Sequence, residues 1–207
     1  MIDRFCALAN DGELPYMIDN PQLSIDAENQ NILMKKFAID RNKPIIAFCP
    51  AAEYGPAKRW PPEYFAKLAG MLKEDVQVVI LGSKNDDAIA KDILQQFVGV
   101  VKIINLCGET SLVDTADILA LSSCVITNDS GLMHIGCAVD ADVIAIYGSS
   151  SPDFTPPLSS KAEITKIVLD CAPCFQRTCR FEHYNCLRLI TPGVVLYKVQ
   201  SILTKIK

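Results

Sequence analysis

The sequence predicts an α/β fold, a Rossmann-like parallel sheet with helices on both faces. Three observations carry that prediction. Short apolar runs recur at residues 44–49, 76–81, 101–106, 124–127 and 142–147, too short for helices and apolar on both faces. That is the pattern of strands buried within a parallel sheet. Between them, residues 62–73, 86–97, 112–122 and 130–139 carry apolar side chains at helical spacing. Polar turns rich in Pro, Gly, Ser, Asn and Asp follow the runs at 50–61, 82–86, 128–131 and 148–157. Alternation of this kind builds a parallel sheet through crossover connections. In such sheets ligands bind outside the carboxyl ends of the strands.

A chain of 207 residues suits one domain, or one domain with an appendage. With 50% hydrophobic and 21% charged residues it has the composition of a globular protein with a sizeable core. The net charge of −4 argues against a general nucleic-acid or membrane binder. No apolar run approaches the ~20 residues of a membrane span. The opening MIDRFCALANDGELP lacks the apolar core of a signal peptide. Five of the nine cysteines, Cys6, Cys49, Cys107, Cys124 and Cys137, are scattered through predicted strands and helices. They read as buried thiols in a reducing compartment, which places the protein in the cytoplasm.

Taken in order, residues 2–10 suit a helix, broken by Asp11-Gly12-Glu13-Leu14-Pro15, and residues 23–25 look extended. Asp26 opens a helix running to about Phe37, with Ile32, Leu33 and Phe37 near one face. The regular rhythm begins at Pro44. In the first helix after it, Phe65, Leu68, Ala69 and Leu72 share a face. A sixth strand is expected at 164–169. Thr191-Pro192 then starts a last helix to about Leu203, with Pro at the first helical position. No GxGxxG occurs, which disfavours an ordinary NAD fold.

The stretch most suited to chemistry is VITNDSGLMHI, Val125 to Ile135. It is a strand, a polar turn and a helix start. A helix N-terminus offers unpaired N–H groups and a partial positive charge, and so suits phosphate. Asp129 or Ser130 can cap the helix, and Gly131 lets a ligand approach the backbone. Ser130 and His134 are four apart and share a helical face. The same residues also fit an N-cap followed by a quietly packed histidine. The link PAAEYGPAKRWP at 50–61 is longer than the usual two to six residues. Its Lys58 and Arg59 oppose the dipole of the next helix unless an anion lies between. Gly148-Ser149-Ser150-Ser151 is rich in donors and could line the same cleft. Cys171, Cys174, Cys179 and Cys186, with His183 between, have the short thiolate spacing of a tetrahedral zinc site. The spacing fits no common zinc module, so zinc, a disulfide and free thiols all stay open.

The segments 50–61, TNDSGLMH at 127–134 and YGSSSPDFTPP at 147–157 together resemble glycosyltransferase family nine, the heptosyltransferases, over residues 44 to 203. The resemblance implies a GT-B fold, two Rossmann-like domains facing across a cleft. Its N-terminal domain holds the acceptor and an acidic base; its C-terminal domain holds the nucleotide-sugar donor. This chain resembles the C-terminal half alone. Residues 1–43 would be a lead-in segment and linker helix from an absent N-terminal domain, and residues 44–207 the donor-binding domain. The implied donor is ADP-L-glycero-D-manno-heptose, transferred with inversion to the first heptose of the lipopolysaccharide inner core, at or near the cytoplasmic face of the inner membrane. By motif position, Lys58 would pair with the diphosphate and stabilise the leaving group. The Ser130 and Gly131 amides would hold the same phosphates, and Asp129 the sugar hydroxyls. His134 would assist from the same face, and Ser83 and Ser149 would line the donor site. A related enzyme of that family has an acidic residue near this point for the ribose, where this chain has Lys84 followed by Asp86. Two competing readings are a GT-B transferase of another nucleotide sugar and a non-catalytic domain stapled by metal at the cysteine cluster.

Overall fold

The computed structural model describes Cys6 and residues 20–206. Six strands form one sheet: β1 (Ile45–Cys49), β2 (Gln77–Ile80), β3 (Lys102–Asn105), β4 (Cys124–Asn128), β5 (Val143–Ile146) and β6 (Ala162–Thr165). The order is β3-β2-β1-β4-β5-β6, and every pairing is parallel. The crossovers are helices α2 (Pro62–Met71), α3 (Asp87–Gln96), α4 (Leu112–Leu121) and α5 (Gly131–Ala138). α1 (Ala27–Lys36) precedes the sheet, and a short α6 (Asn185–Arg188) and a long α7 (Pro192–Ile206) follow it. This strand order reverses direction between β1 and β4, so the crevice at their carboxyl ends is the switch point where ligands bind.

Successive side chains of a strand point to opposite faces, so each central strand feeds two apolar layers. Ile46, Phe48, Val78 and Ile80 pack beneath Phe65 and Leu68 of α2, Ile93 of α3 and Val195 and Val199 of α7. Ile45, Ala47, Val79 and Val125 pack against Leu33 and Met34 of α1, Leu119 of α4 and Met133 of α5. The predicted face of α2, Phe65 to Leu72, is buried throughout.

α1 begins as expected at Asp26, whose carboxylate accepts the Glu28 and Asn29 amides at 2.9 and 3.1 Å. Its buried side chains are Leu33 and Met34, while Ile32 is exposed. The helix is tied to α4 by Asp117, which is 1% exposed and accepts from the Asp26 amide (2.9 Å) and Asn29 Nδ2 (2.7 Å).

Three sequence expectations need correction or placement. The sixth strand is Ala162–Thr165, not 164–169. Its extent is fixed by pairing with Val143–Ile146, and Val168 beyond it is exposed despite its strand-forming character. Residues 23–25 form no strand and touch the fold through the Leu23 amide on the Ala138 carbonyl. The helix and break expected at 2–15 lie, Cys6 apart, outside the described residues.

Candidate functional site

The loops after β1, β2 and β4 and the start of α4 enclose a cleft of about 590 Å³, within the ordinary range for small-ligand sites. Its walls include Ala51 and Glu53 after β1, Ser83 and Asp86 after β2, Thr110 and Leu112 at the start of α4, and Ser130, Gly131 and Ile135 on α5. Gly131 is the first residue of α5, and a Cβ placed on it would meet nothing within 4 Å. Its freedom is therefore not demanded by packing. Ser130 occupies the N-cap position, yet its side chain makes no capping bond, contrary to the sequence reading. Its hydroxyl lies 3.4 Å from Thr127 Oγ1 instead, so the first amides of α5 are left without a side-chain partner.

Lys58 and Asp129 meet beside this helix start. Lys58 Nζ contacts Asp129 Oδ2 at 2.5 Å, with the two side chains 16% and 4% exposed. The anion expected beside the basic pair is thus supplied within the protein. Arg59 takes no part in it, since its Nε donates to the Ala52 carbonyl at 3.1 Å. Thr155 Oγ1 donates to the same Asp129 oxygen at 3.0 Å. The Tyr54 ring lies 5.3 Å from the Lys58 ammonium. His134, exposed at the surface of α5, feels both charges. Desolvation lowers its pKa below 6.5; Asp129 pulls it back up, and Lys58, the smallest of the three effects, lowers it again. The net shift favours the neutral imidazole.

Asn128 is the residue that sequence reasoning missed. At 0% exposure it donates from Nδ2 to the Pro50 carbonyl at 2.7 Å and accepts the Trp60 amide on Oδ1 at 2.8 Å. It thereby pins both ends of the β1–α2 link to the end of β4. Trp60, 1% exposed, is also anchored by its indole N–H on the Ile190 carbonyl at 2.8 Å. The available signal was an amide side chain ending a buried strand, which must find partners. Thr155 carried no such signal, because its partner is reached only through the folded loop.

The predicted residues thus fall in three places. Ser83, Ser130 and Gly131 line the cleft, and Lys58, Asp129 and His134 cluster beside it. Ser83 is turned onto Asp86, donating to Oδ2 through its amide (2.8 Å) and hydroxyl (2.7 Å). That puts the carboxylate of Asp86 on the cleft wall, where Lys84 is not. Ser149 joins neither group. It lines a separate small cavity with Cys171, Cys174, Cys179 and Cys186, because its backbone is held between the Ala57 carbonyl and the Phe175 amide. The structure lends the zinc expectation for those cysteines no support. Among the described residues they form no disulfide, and no three His, Cys, Asp or Glu side chains are grouped as metal ligands.

Comparisons with known proteins give the family of the chain. Residues 1–185 match the description "Glycosyltransferase family 9 (heptosyltransferase)". The chain is 37% identical to lipopolysaccharide heptosyltransferase 2 of Salmonella typhimurium, over 99% of this chain and 62% of that protein. The solved structure of E. coli ADP-heptose lps heptosyltransferase II superposes with a TM-score of 0.82 at 36% identity, over 93% of this chain and 56% of that one. An E. coli heptosyltransferase solved with ADP-2-deoxy-2-fluoro heptose shares the fold at 22% identity and a TM-score of 0.59. The chain therefore spans somewhat less than two thirds of the relatives it matches. By its sequence and its fold, this chain belongs to glycosyltransferase family 9, the heptosyltransferases.

Proposed function

We propose that the chain is the donor-binding half of an inverting heptosyltransferase, which transfers L-glycero-D-manno-heptose from ADP-heptose to the first heptose of the lipopolysaccharide inner core. The observation that carries this reading is the open Gly131 helix start set beside the Lys58–Asp129 pair at the switch point of the sheet. The nucleoside lies in the cleft, where the Asp86 carboxylate is placed to accept from ribose hydroxyls. The diphosphate lies on the first amides of α5, which also carry the positive end of the helix dipole.

In the free protein Lys58 is spent on Asp129. As ADP departs, its growing negative charge competes for the ammonium. An interaction that strengthens along the reaction is what stabilises a transition state. Asp129, freed by Lys58 and still held by Thr155, accepts from heptose hydroxyls. Neutral His134 offers a hydrogen bond without adding charge. The base that deprotonates the acceptor, and the acceptor site itself, belong to the half that this chain does not resemble. No helix among the described residues is long and apolar enough to cross a membrane. The whole protein meets this acceptor by peripheral association with the cytoplasmic face of the inner membrane.

Calorimetric titration of the chain with ADP, with UDP as control, tests the reading. Saturable binding of ADP in preference to UDP is expected. Equal affinity for the two would favour a transferase of another nucleotide sugar, and absence of binding to both would remove the donor site from this cleft.

A further inference from the structure

Donor binding leaves unused the aromatic rings beside the Lys58 turn. Tyr54, Phe154 and Phe175 are 36%, 54% and 43% exposed. They come from three separate stretches, after β1, after β5 and after β6. One exposed apolar side chain needs no explanation, but several gathered in one place mark an interaction site. Here they are gathered. The rings of Phe154 and Phe175 meet edge to face, with centroids 5.1 Å apart. The Tyr54 hydroxyl donates to the Phe175 carbonyl at 2.6 Å.

The fold holds these rings out on a fixed backbone. Phe175 has a left-handed φ of 53°, an unfavourable conformation for a bulky residue. Its amide donates to the Ser149 carbonyl at 2.7 Å, so both of its backbone groups are pinned. The Arg177 carbonyl accepts the Ala57 amide at 3.0 Å. Gly55 leaves no slack there, since a Cβ on it would meet that carbonyl at 2.7 Å. A surface ordered in advance loses little entropy when a ligand settles on it.

The whole chain carries a net charge of −4, yet this surface presents cations. The Arg177 guanidinium lies 5.1 Å from the Tyr54 ring, and the Arg180 guanidinium 4.7 Å from the Phe181 ring. Both arginines are exposed, and among the described residues neither pairs with a carboxylate. Glu53, Asp153 and Glu182 stand in the same loops without reaching them, and Asp153 accepts the Ser151 hydroxyl at 2.9 Å. A guanidinium stacked on a ring keeps its N–H edge for a carboxylate or phosphate. An open ring face carries negative quadrupole charge and attracts the partly positive C–H face of a sugar. Rings and guanidinium together fit a saccharide that bears acidic groups.

The surface adjoins the reacting end of the donor site. The Tyr54 ring lies 5.3 Å from the Lys58 ammonium, and Phe154 precedes Thr155, whose hydroxyl holds Asp129. On the donor-site reading those side chains attend the leaving phosphate and the heptose, so a molecule that receives the heptose arrives here. We propose that Tyr54, Phe154, Phe175 and Arg177 form a platform for the acceptor. Sugars beside the receiving heptose stack on the rings, and their carboxylate or phosphate groups bind Arg177. Acceptor recognition thereby extends from the other half of the enzyme onto this one. The occupant's identity as acceptor rests on the donor-site reading; the affinity of the platform for an acidic saccharide does not.

The test titrates the isotope-labelled chain, in excess ADP, with the soluble saccharide made by deacylating lipopolysaccharide truncated at its first heptose, and follows the amide resonances. Saturable shifts at millimolar saccharide are expected in residues 54–55, 153–155 and 175–177. Arg177→Ala should weaken this binding about tenfold, the worth of one charge-assisted contact. Phe154→Ala should weaken it as well, and both variants should keep the parent's ADP affinity and Tm. A saccharide with its carboxylates reduced to alcohols and its phosphates removed should bind the parent only as weakly as the intact one binds Arg177→Ala. Shifts elsewhere or none, unaltered binding by Arg177→Ala, or equal binding of the neutral saccharide would overturn the proposal. So would loss of ADP affinity in Arg177→Ala, which would put the arginine in the donor site. Shifts of these residues with protein concentration alone would overturn it too, by placing a second copy of the chain on the platform. If the parent fails to bind ADP, the donor reading and the acceptor role fall together, and the saccharide titration alone decides what the platform binds.

Discussion

Replacing Gly131 by alanine separates structure from binding at the proposed phosphate site. The glycine lies outside the left-handed region, where only Gly55 and Gly108 are found among the described glycines, and an added Cβ meets nothing within 4 Å. Nothing in the fold therefore opposes alanine. Helical Gly→Ala substitutions in compatible positions stabilise by up to about 1 kcal/mol. For a chain of this size that raises Tm by up to roughly 2–4 °C. The same methyl group projects into the cleft between the first amides of α5 and an approaching diphosphate. Losing one charge-assisted contact costs about 1.5–3 kcal/mol, or roughly 10- to 150-fold in affinity. Melting curves and ADP calorimetry on one preparation read both effects. A lower Tm would show that the glycine serves the fold. An unchanged or higher Tm with unaltered ADP affinity would refute the placement of the phosphates.

Lys58→Ala should weaken ADP binding by roughly 10- to 100-fold, the worth of one charged phosphate contact, and unchanged affinity in calorimetry removes Lys58 from the site. Asp129→Ala should reduce affinity for ADP-heptose more than for ADP, because it removes the sugar contact while freeing Lys58; equal losses contradict its role. Asn128→Ala orphans the Pro50 carbonyl and the Trp60 amide, at a cost of about 2–5 kcal/mol. Its Tm should fall by roughly 5–15 °C, and a smaller change would mean the loop is held elsewhere. His134 has a folded pKa below 6.5, so the unfolded chain takes up that proton first. The stability due to neutral His134 is complete above that value and is lost as pH falls below it. His134→Gln should therefore lose less stability than the parent between about pH 7 and pH 5 in denaturant titrations, and parallel losses would contradict the assignment.

The fold was legible because burial on both faces writes itself into each central strand. Ile45–Cys49 and Val143–Ile146 are apolar at every position, and the structure trims the expected runs by only a residue or so at each end. The edge strand was not legible in the same way. Ile167, Val168 and Leu169 have strand chemistry, but β5 has no further residues to pair with them. Within the site, Gly131 and the Lys58 turn were visible as local departures from helix and loop rules. What local pattern could not give was side-chain direction across long separations. Lys58 meets Asp129, Asn128 joins Pro50 to Trp60, and Ser149 turns toward the cysteines because the β1–α2 link crosses over β4. The cysteine spacing suggested a metal for a related reason. The fold does bring the four thiols to one cavity, but not grouped as a ligand set, which spacing alone could not tell.

The donor site is tested most directly by amide hydrogen exchange of the 207-residue chain with and without saturating ADP. Protection is predicted at Ser130 to Leu132 and in the turn from Ala57 to Trp60, where the diphosphate meets the helix start and Lys58. Saturable ADP binding with these two segments unprotected, and protection elsewhere on the sheet, would contradict it.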